Sequence, residues 1–96
     1  MIQSEARIST TRASRYLGQL CKHFEHRIPA TYTHDHGRLE FTSGVCHLDA
    51  ADDVLVLRAE APDEAQLGQL ENVVARHLER FAFRDKPEIL WTRGGV

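Results

Sequence analysis

Six histidines and two cysteines carry most of the metal-ligand and nucleophile chemistry open to this chain. The densest grouping lies between Ser14 and Arg27, where Cys21, His23 and His26 follow one another on a segment with helical periodicity. Residues three apart on a helix approach each other, so His23 and His26 form a candidate ligand pair. Structural zinc needs four protein ligands and catalytic zinc three, so Cys21, Cys46, His47 or His77 would have to complete the set through the fold. A helical wheel puts His23 beside Tyr16 on the flank of the apolar stripe and His26 nearer solvent, which weakens convergence on a buried ion. Ordinary hydrogen bonding by boundary histidines accounts for the same residues.

Cys46-His47 suggests a thiolate activated by an imidazole. Successive side chains of a strand point to opposite faces, however, so the two should not meet, and Cys46 and Cys21 read more simply as small core residues. In His34-Asp35-His36-Gly37 the Asp and Gly mark a turn, whose histidines project in different directions. His77, in Arg76-His77-Leu78-Glu79-Arg80-Phe81, sits at the edge of a second apolar stripe. His23 and His77 both flank the expected core, where desolvation perturbs titration, and they are the candidates for general acid-base or ligand contact. Tyr16 and Trp91 are candidates for an aromatic wall beside them, although core packing explains both equally well.

These residues need elements to position them. Ser4 to Ile8 alternates as a short strand, and Ser9-Thr10-Thr11 offers helix N-caps. A helix is predicted from Thr11 to His26, with Ala13, Leu17, Leu20, Cys21 and Phe24 on its buried face and Pro29 beyond its end. Four strands follow over Ala30–Thr33, Gly37–Thr42, Gly44–Asp49 and Val54–Ala61, with Leu39 and Phe41 facing the core. Pro62-Asp63-Glu64 opens a second helix running to about Arg84, on the stripe of Leu67, Leu70, Val74, Leu78 and Phe81. Glu88 to Thr92 is a last strand. The order β-α-β-β-β-β-α-β specifies an α+β fold: an antiparallel sheet with two helices packed on one face.

The 96 residues fit one domain spanning 1–96 with one core, and 42% hydrophobic and 27% charged residues exclude a disordered chain. Twelve Lys and Arg against fourteen Asp and Glu, spread along the chain, argue against nucleic acid as a partner. No stretch approaches the ~18 apolar residues of a membrane span, and the N-terminus has no secretory pattern. A cytoplasmic protein with reduced thiols is expected.

Ser14-Arg15-Tyr16-Leu17, Gln19-Leu20-Cys21-Lys22-His23-Phe24 and His26, then Leu48-Asp49-Ala50, then His77 to Arg84, together resemble the bacterial domain-of-unknown-function family two-two-one-eight. The resemblance runs from Ala6 to Trp91. It implies a loose link to iron handling, because similar domains occur alone or joined to siderophore-interacting flavin reductases, and it makes such a reductase an expected partner. It implies no catalytic residues.

Three function classes follow. The leading one is a noncatalytic ligand-binding or protein-interaction module that self-associates and uses the uncovered sheet face. The second is a metal or haem protein built on His23 with His26, Cys21, Cys46, His47 and His77. The third is a small enzyme using His77 or His23 in acid-base chemistry. No cofactor is strongly implied.

Overall fold

Period-two alternation decides which side of each strand enters the core. In the computed structural model, which describes residues 1–82 and 87–95, β1 spans Ile2–Ser9, β2 Ala30–Tyr32, β3 His36–Phe41, β4 Gly44–Ala50, β5 Val54–Ala61 and β6 Thr92–Gly95. The helices are α1, Ala13–Phe24, and α2, Glu64–Phe81. All pairings are antiparallel, and the sheet order is β2-β3-β4-β5-β1-β6. The fold is α+β with both helices on one face, in the expected order.

Ser4, Ala6 and Ile8 of β1, Gly37 and Leu39 of β3, Cys46 and Leu48 of β4, and Leu55, Leu57, Ala59 and Ala61 of β5 are buried under the helices. Across from them lie Tyr16, Leu17, Leu20, Cys21 and Phe24 of α1 and Leu67, Leu70, Val74 and Leu78 of α2. Each fully buried leucine contributes about 1.5–3 kcal/mol of transfer free energy, so this interface dominates the stability of the fold. Gly37 lets α1 come close: a Cβ there would lie 2.7 Å from Cys21 Sγ. At the β3–β4 turn the constraint is tighter, since a Cβ on Gly44 would stand 2.1 Å from the Glu60 carbonyl oxygen.

The ends of several elements differ from those expected. Helix α1 starts at Ala13 without a side-chain cap, because the Thr10 hydroxyl accepts from the Arg12 N–H one step earlier, at 3.0 Å, while Thr10 N donates to Asp53 O. It stops at Phe24, where Arg27 and Ile28 N–H both turn back to the Phe24 carbonyl ahead of Pro29. Helix α2 is capped by Asp63, whose Oδ1 accepts from Gln66 N at 2.8 Å. Helix α2 ends at Phe81 with Ala82 as its C-cap, short of the expected end near Arg84, and residues 83 and 84 lie outside the described residues. The last strand is displaced: the ladder to β1 sets Thr92 opposite Glu5 and Gly95 opposite Ile2, so Glu88–Trp91 is not part of it. The alternation read there is one of packing, with Ile89 and Trp91 half-buried against the core and Leu90 exposed. Among the described residues no helix is long and apolar enough to cross a membrane.

Candidate ligand site on the open face of the sheet

The register that buries one set of strand residues presents the other set on the helix-free face. Thr31, Arg38, His47, Arg58, Glu5 and Thr92 are consecutive pairing partners and form one transverse line across all six strands. Its centre, Arg38-His47-Arg58, is two guanidiniums flanking an imidazole. On the neighbouring line His36 of β3 pairs with Asp49 of β4. Asp49 joins the two lines: its Oδ2 accepts from Arg58 Nη2 at 2.6 Å, and its Oδ1 makes a short hydrogen bond with His36 Nδ1. In the neutral imidazole this contact makes Nδ1 the proton-bearing nitrogen and leaves Nε2 as the acceptor. Arg38 pairs with Glu40 at 3.0 Å and Arg7 with Glu5 at 3.2 Å.

The turn that delivers His36 is pinned from several directions. Thr33 N donates to His36 O at 2.7 Å, His36 N donates to Thr33 Oγ1, and Ala50 N donates to Asp35 O. The Thr33 hydroxyl donates to Asp35 Oδ1 at 2.9 Å, the main reason that the Asp35 carboxyl is held below its usual range. Ser14 Oγ, at the start of α1, donates to His34 O at 2.6 Å and ties the turn to the helix layer. The site is thus built on strands with a braced loop at its rim, an arrangement that limits the entropy lost on binding.

These groups line a concavity of about 410 Å³ whose polar wall includes Thr31, His36, Arg38, His47, Asp49 and Arg58. That volume falls in the range of small-molecule sites. Its lining carries two guanidiniums and one carboxylate, with Glu40 holding Arg38 from outside it, and two imidazoles that can accept or donate hydrogen bonds.

Of the residues picked out from sequence, His47 lies in this concavity and the others lie elsewhere. Tyr16 is 3% exposed in the core, and Trp91 packs half-buried against it. His23 and His77 do meet, across α1 and α2, with ring centroids 4.8 Å apart and Phe24 and Phe81 against His23. His77 Nδ1 contacts the Val73 carbonyl at 2.7 Å. The pKa of His23 is lowered by burial first, and then by the positive charge of His77, Arg27, Arg80 and His26. His26 is exposed. Cys21 and Cys46 are free, buried thiols, pushed up by desolvation to about 11 and about 12. His47 occupies the opposite face of β4 from Cys46. The proposed ligand set is therefore split among the core, the helix seam and the open face. Among the described residues, no group of three or more His, Cys, Asp or Glu is arranged to hold a metal ion.

Sequence reasoning missed Arg38, Asp49 and Arg58 as site residues and read His36 only as part of a turn. Alternation signals that Arg38 points outward, but nothing local says that His47 and Arg58 lie level with it. That information is in the register of three strands.

Comparisons with known proteins agree with this architecture. Residues 5–92 match the family model described as "Uncharacterized protein conserved in bacteria (DUF2218)". The NMR structure of PA4090 from Pseudomonas aeruginosa is similar at a TM-score of 0.82 and 36% identity, over 96% of each chain. Among curated proteins nothing matches. With its family model matched along nearly the whole sequence and a solved relative of the same fold, the chain belongs to the DUF2218 family of bacterial proteins.

Proposed function

We propose that this protein is a noncatalytic binding module that receives a small polar ligand on the helix-free face, over β2 to β5. The observation that carries the reading is the concavity of about 410 Å³ whose wall brings together His36, Arg38, His47, Asp49 and Arg58 from three adjacent strands. Polar groups converging on a preformed hollow are the usual composition of a ligand site. Strand-borne side chains locked by mutual hydrogen bonds suit recognition of a defined shape. The iron link implied by the family resemblance makes a siderophore the first ligand to try, with a siderophore-interacting reductase as the protein that would exchange it.

The test is a titration of the 15N-labelled full chain with ferric and iron-free siderophores of hydroxamate and carboxylate type, followed by amide shifts. Saturable shifts confined to β2–β5, and abolished in His47→Ala, are expected. Shifts on the helix layer, or on no residue of the open face, would remove this site. A concentration-dependent dimer covering the same face would replace the small ligand with a second copy.

A further inference from the structure

We propose that the Arg38-His47-Arg58 line is an anion subsite that takes a carboxylate or phosphate group of the ligand. The inference rests on the reading of the open face as a ligand site and specifies the chemistry of what binds there.

Three features support it. First, the three residues are directly paired across β3, β4 and β5, so the backbone positions of the two arginines lie on either side of His47, two strand spacings or about 10 Å apart along the sheet. Cross-strand neighbours on a solvated face are usually matched in charge; on this line Arg38 stands between Thr31 and His47, so a bound acid group would supply the match it lacks there. Arg58 has Glu5 of β1 directly opposite it on the line. Second, each arginine is already held in place by a carboxylate on a neighbouring line, Arg58 by Asp49 through Nη2 and Arg38 by Glu40 through Nη1. A guanidinium has five N–H donors, so one bond of this kind positions the fork and leaves further donors for a ligand. A planar fork matches carboxylate and phosphate oxygens in pairs, which an ammonium does not. Third, the cationic excess is local. Within the lining of the concavity two guanidiniums face one carboxylate, Glu40 holding Arg38 from outside it, while on the flanks Arg7 is paired with Glu5, and Glu60 lies on the same face beyond the line. A hollow of this size is large enough for the head of a small molecule.

The experiment uses the 15N-labelled full chain at fixed ionic strength, titrated separately with inorganic phosphate and with citrate, with chloride as the control for screening. Arg38 and Arg58 side-chain N–H signals and the His47 ring should shift along one saturating curve with phosphate, citrate or both. The arm that saturates at lower concentration identifies the oxyanion class. Arg38→Gln and Arg58→Gln should each weaken that binding roughly tenfold or more, as expected for one charge-assisted hydrogen bond. Arg7→Gln, on the same face but outside the lining of the concavity and already paired with Glu5, should leave it within about twofold, as expected for an exposed charge that makes no direct contact with the ligand. Both arginines are about half exposed, so the variants should fold, and an unchanged amide spectrum away from the site verifies this.

Linear, unsaturated shifts matched by chloride, or equal weakening in Arg7→Gln, would overturn the subsite. A cationic ferric hydroxamate that binds the same face undiminished by both Arg→Gln changes would overturn the anion chemistry and leave the binding module standing. Absence of any saturable shift on the face with every probe would overturn both.

Discussion

Arg93 of β6 reaches over the sheet edge to Glu71 of α2, donating through Nη2 at 3.0 Å and through Nε at 3.4 Å. The carboxylate is nearly buried while the guanidinium is half exposed, so Arg93 satisfies a charge that α2 alone would leave stranded. The same hydrogen bonds hold the Arg93 proton more tightly than usual. The pair links the C-terminal strand to the helix layer across a long stretch of chain.

Removing only the cation should therefore be worse than removing both charges. Arg93→Ala is expected to lower Tm by on the order of 5 °C, the scale of one lost charge-assisted hydrogen bond in a domain of this size. Glu71→Gln with Arg93→Ala should recover part of the loss. Thermal unfolding of the three variants checks the order, and an indifferent Arg93→Ala would show the pair to be ornamental.

Acid should loosen the helix seam at His23. Burial, and then the positive potential of His77, Arg27, Arg80 and His26, lower the pKa of this imidazole from its ordinary 6.5. The folded protein therefore binds the proton less readily than the unfolded chain. Stability is complete above 6.5 and falls as pH drops from there toward the lowered folded value, below which no further loss comes from this group. Urea unfolding from pH 8 to 5 should show that slope, and His23→Gln should flatten it. Because the side chain is partly solvated the effect is modest and diminishes with added salt.

Neither thiol should react in the native state. With desolvation pushing Cys21 to about 11 and Cys46 to about 12, the thiolate fraction at neutral pH is negligible and access is closed. Ellman's reagent should detect almost no fast thiol in buffer and both cysteines in denaturant. A rapidly labelled cysteine under native conditions would reopen the nucleophile reading.

Gly44 should resist replacement more than any neighbour in its turn. A Cβ there collides with the Glu60 backbone carbonyl, which cannot rotate away as a side chain would. Gly44→Ala is expected to cost about 2–3 kcal/mol, at the upper end of overpacking effects, read from the denaturant midpoint. Gly37→Ala should cost less if the Cys21 thiol can turn aside, and Cys21→Ala in the same chain should relieve it.

At the open face, the Asp49 contact should fix the tautomer of His36. The 15N shifts of the neutral ring should mark Nδ1 as protonated, and Asp49→Asn should remove that preference while freeing Arg58. A His36 ring indifferent to Asp49→Asn would dissolve the link between the two lines of the site.

What the sequence by itself determined is the set of elements and their inward faces. The helical stripe of Leu17, Leu20, Cys21 and Phe24, the alternation through Leu39 and the cap at Asp63 are local signals, because periodicity and capping depend on residues within a few positions. The opposed directions of Cys46 and His47 follow from the same pleat. The meeting of His23 with His77 was within reach once both were assigned to core edges, although no local rule sets their distance.

What only the tertiary structure decided is pairing between distant segments. Strand β6 is Thr92–Gly95 because β1 offers its edge there, whereas Ile89 and Trp91 imitate a strand by packing alternately. Arg38, His47 and Arg58 are separated by nine and eleven residues in the chain, and they form one line only because the turns after Phe41 and Ala50 set the register of β3, β4 and β5. A shift of one residue in either hairpin would send one of those side chains into the core, so the candidate site depends on loop closure and collective burial, which no short segment encodes.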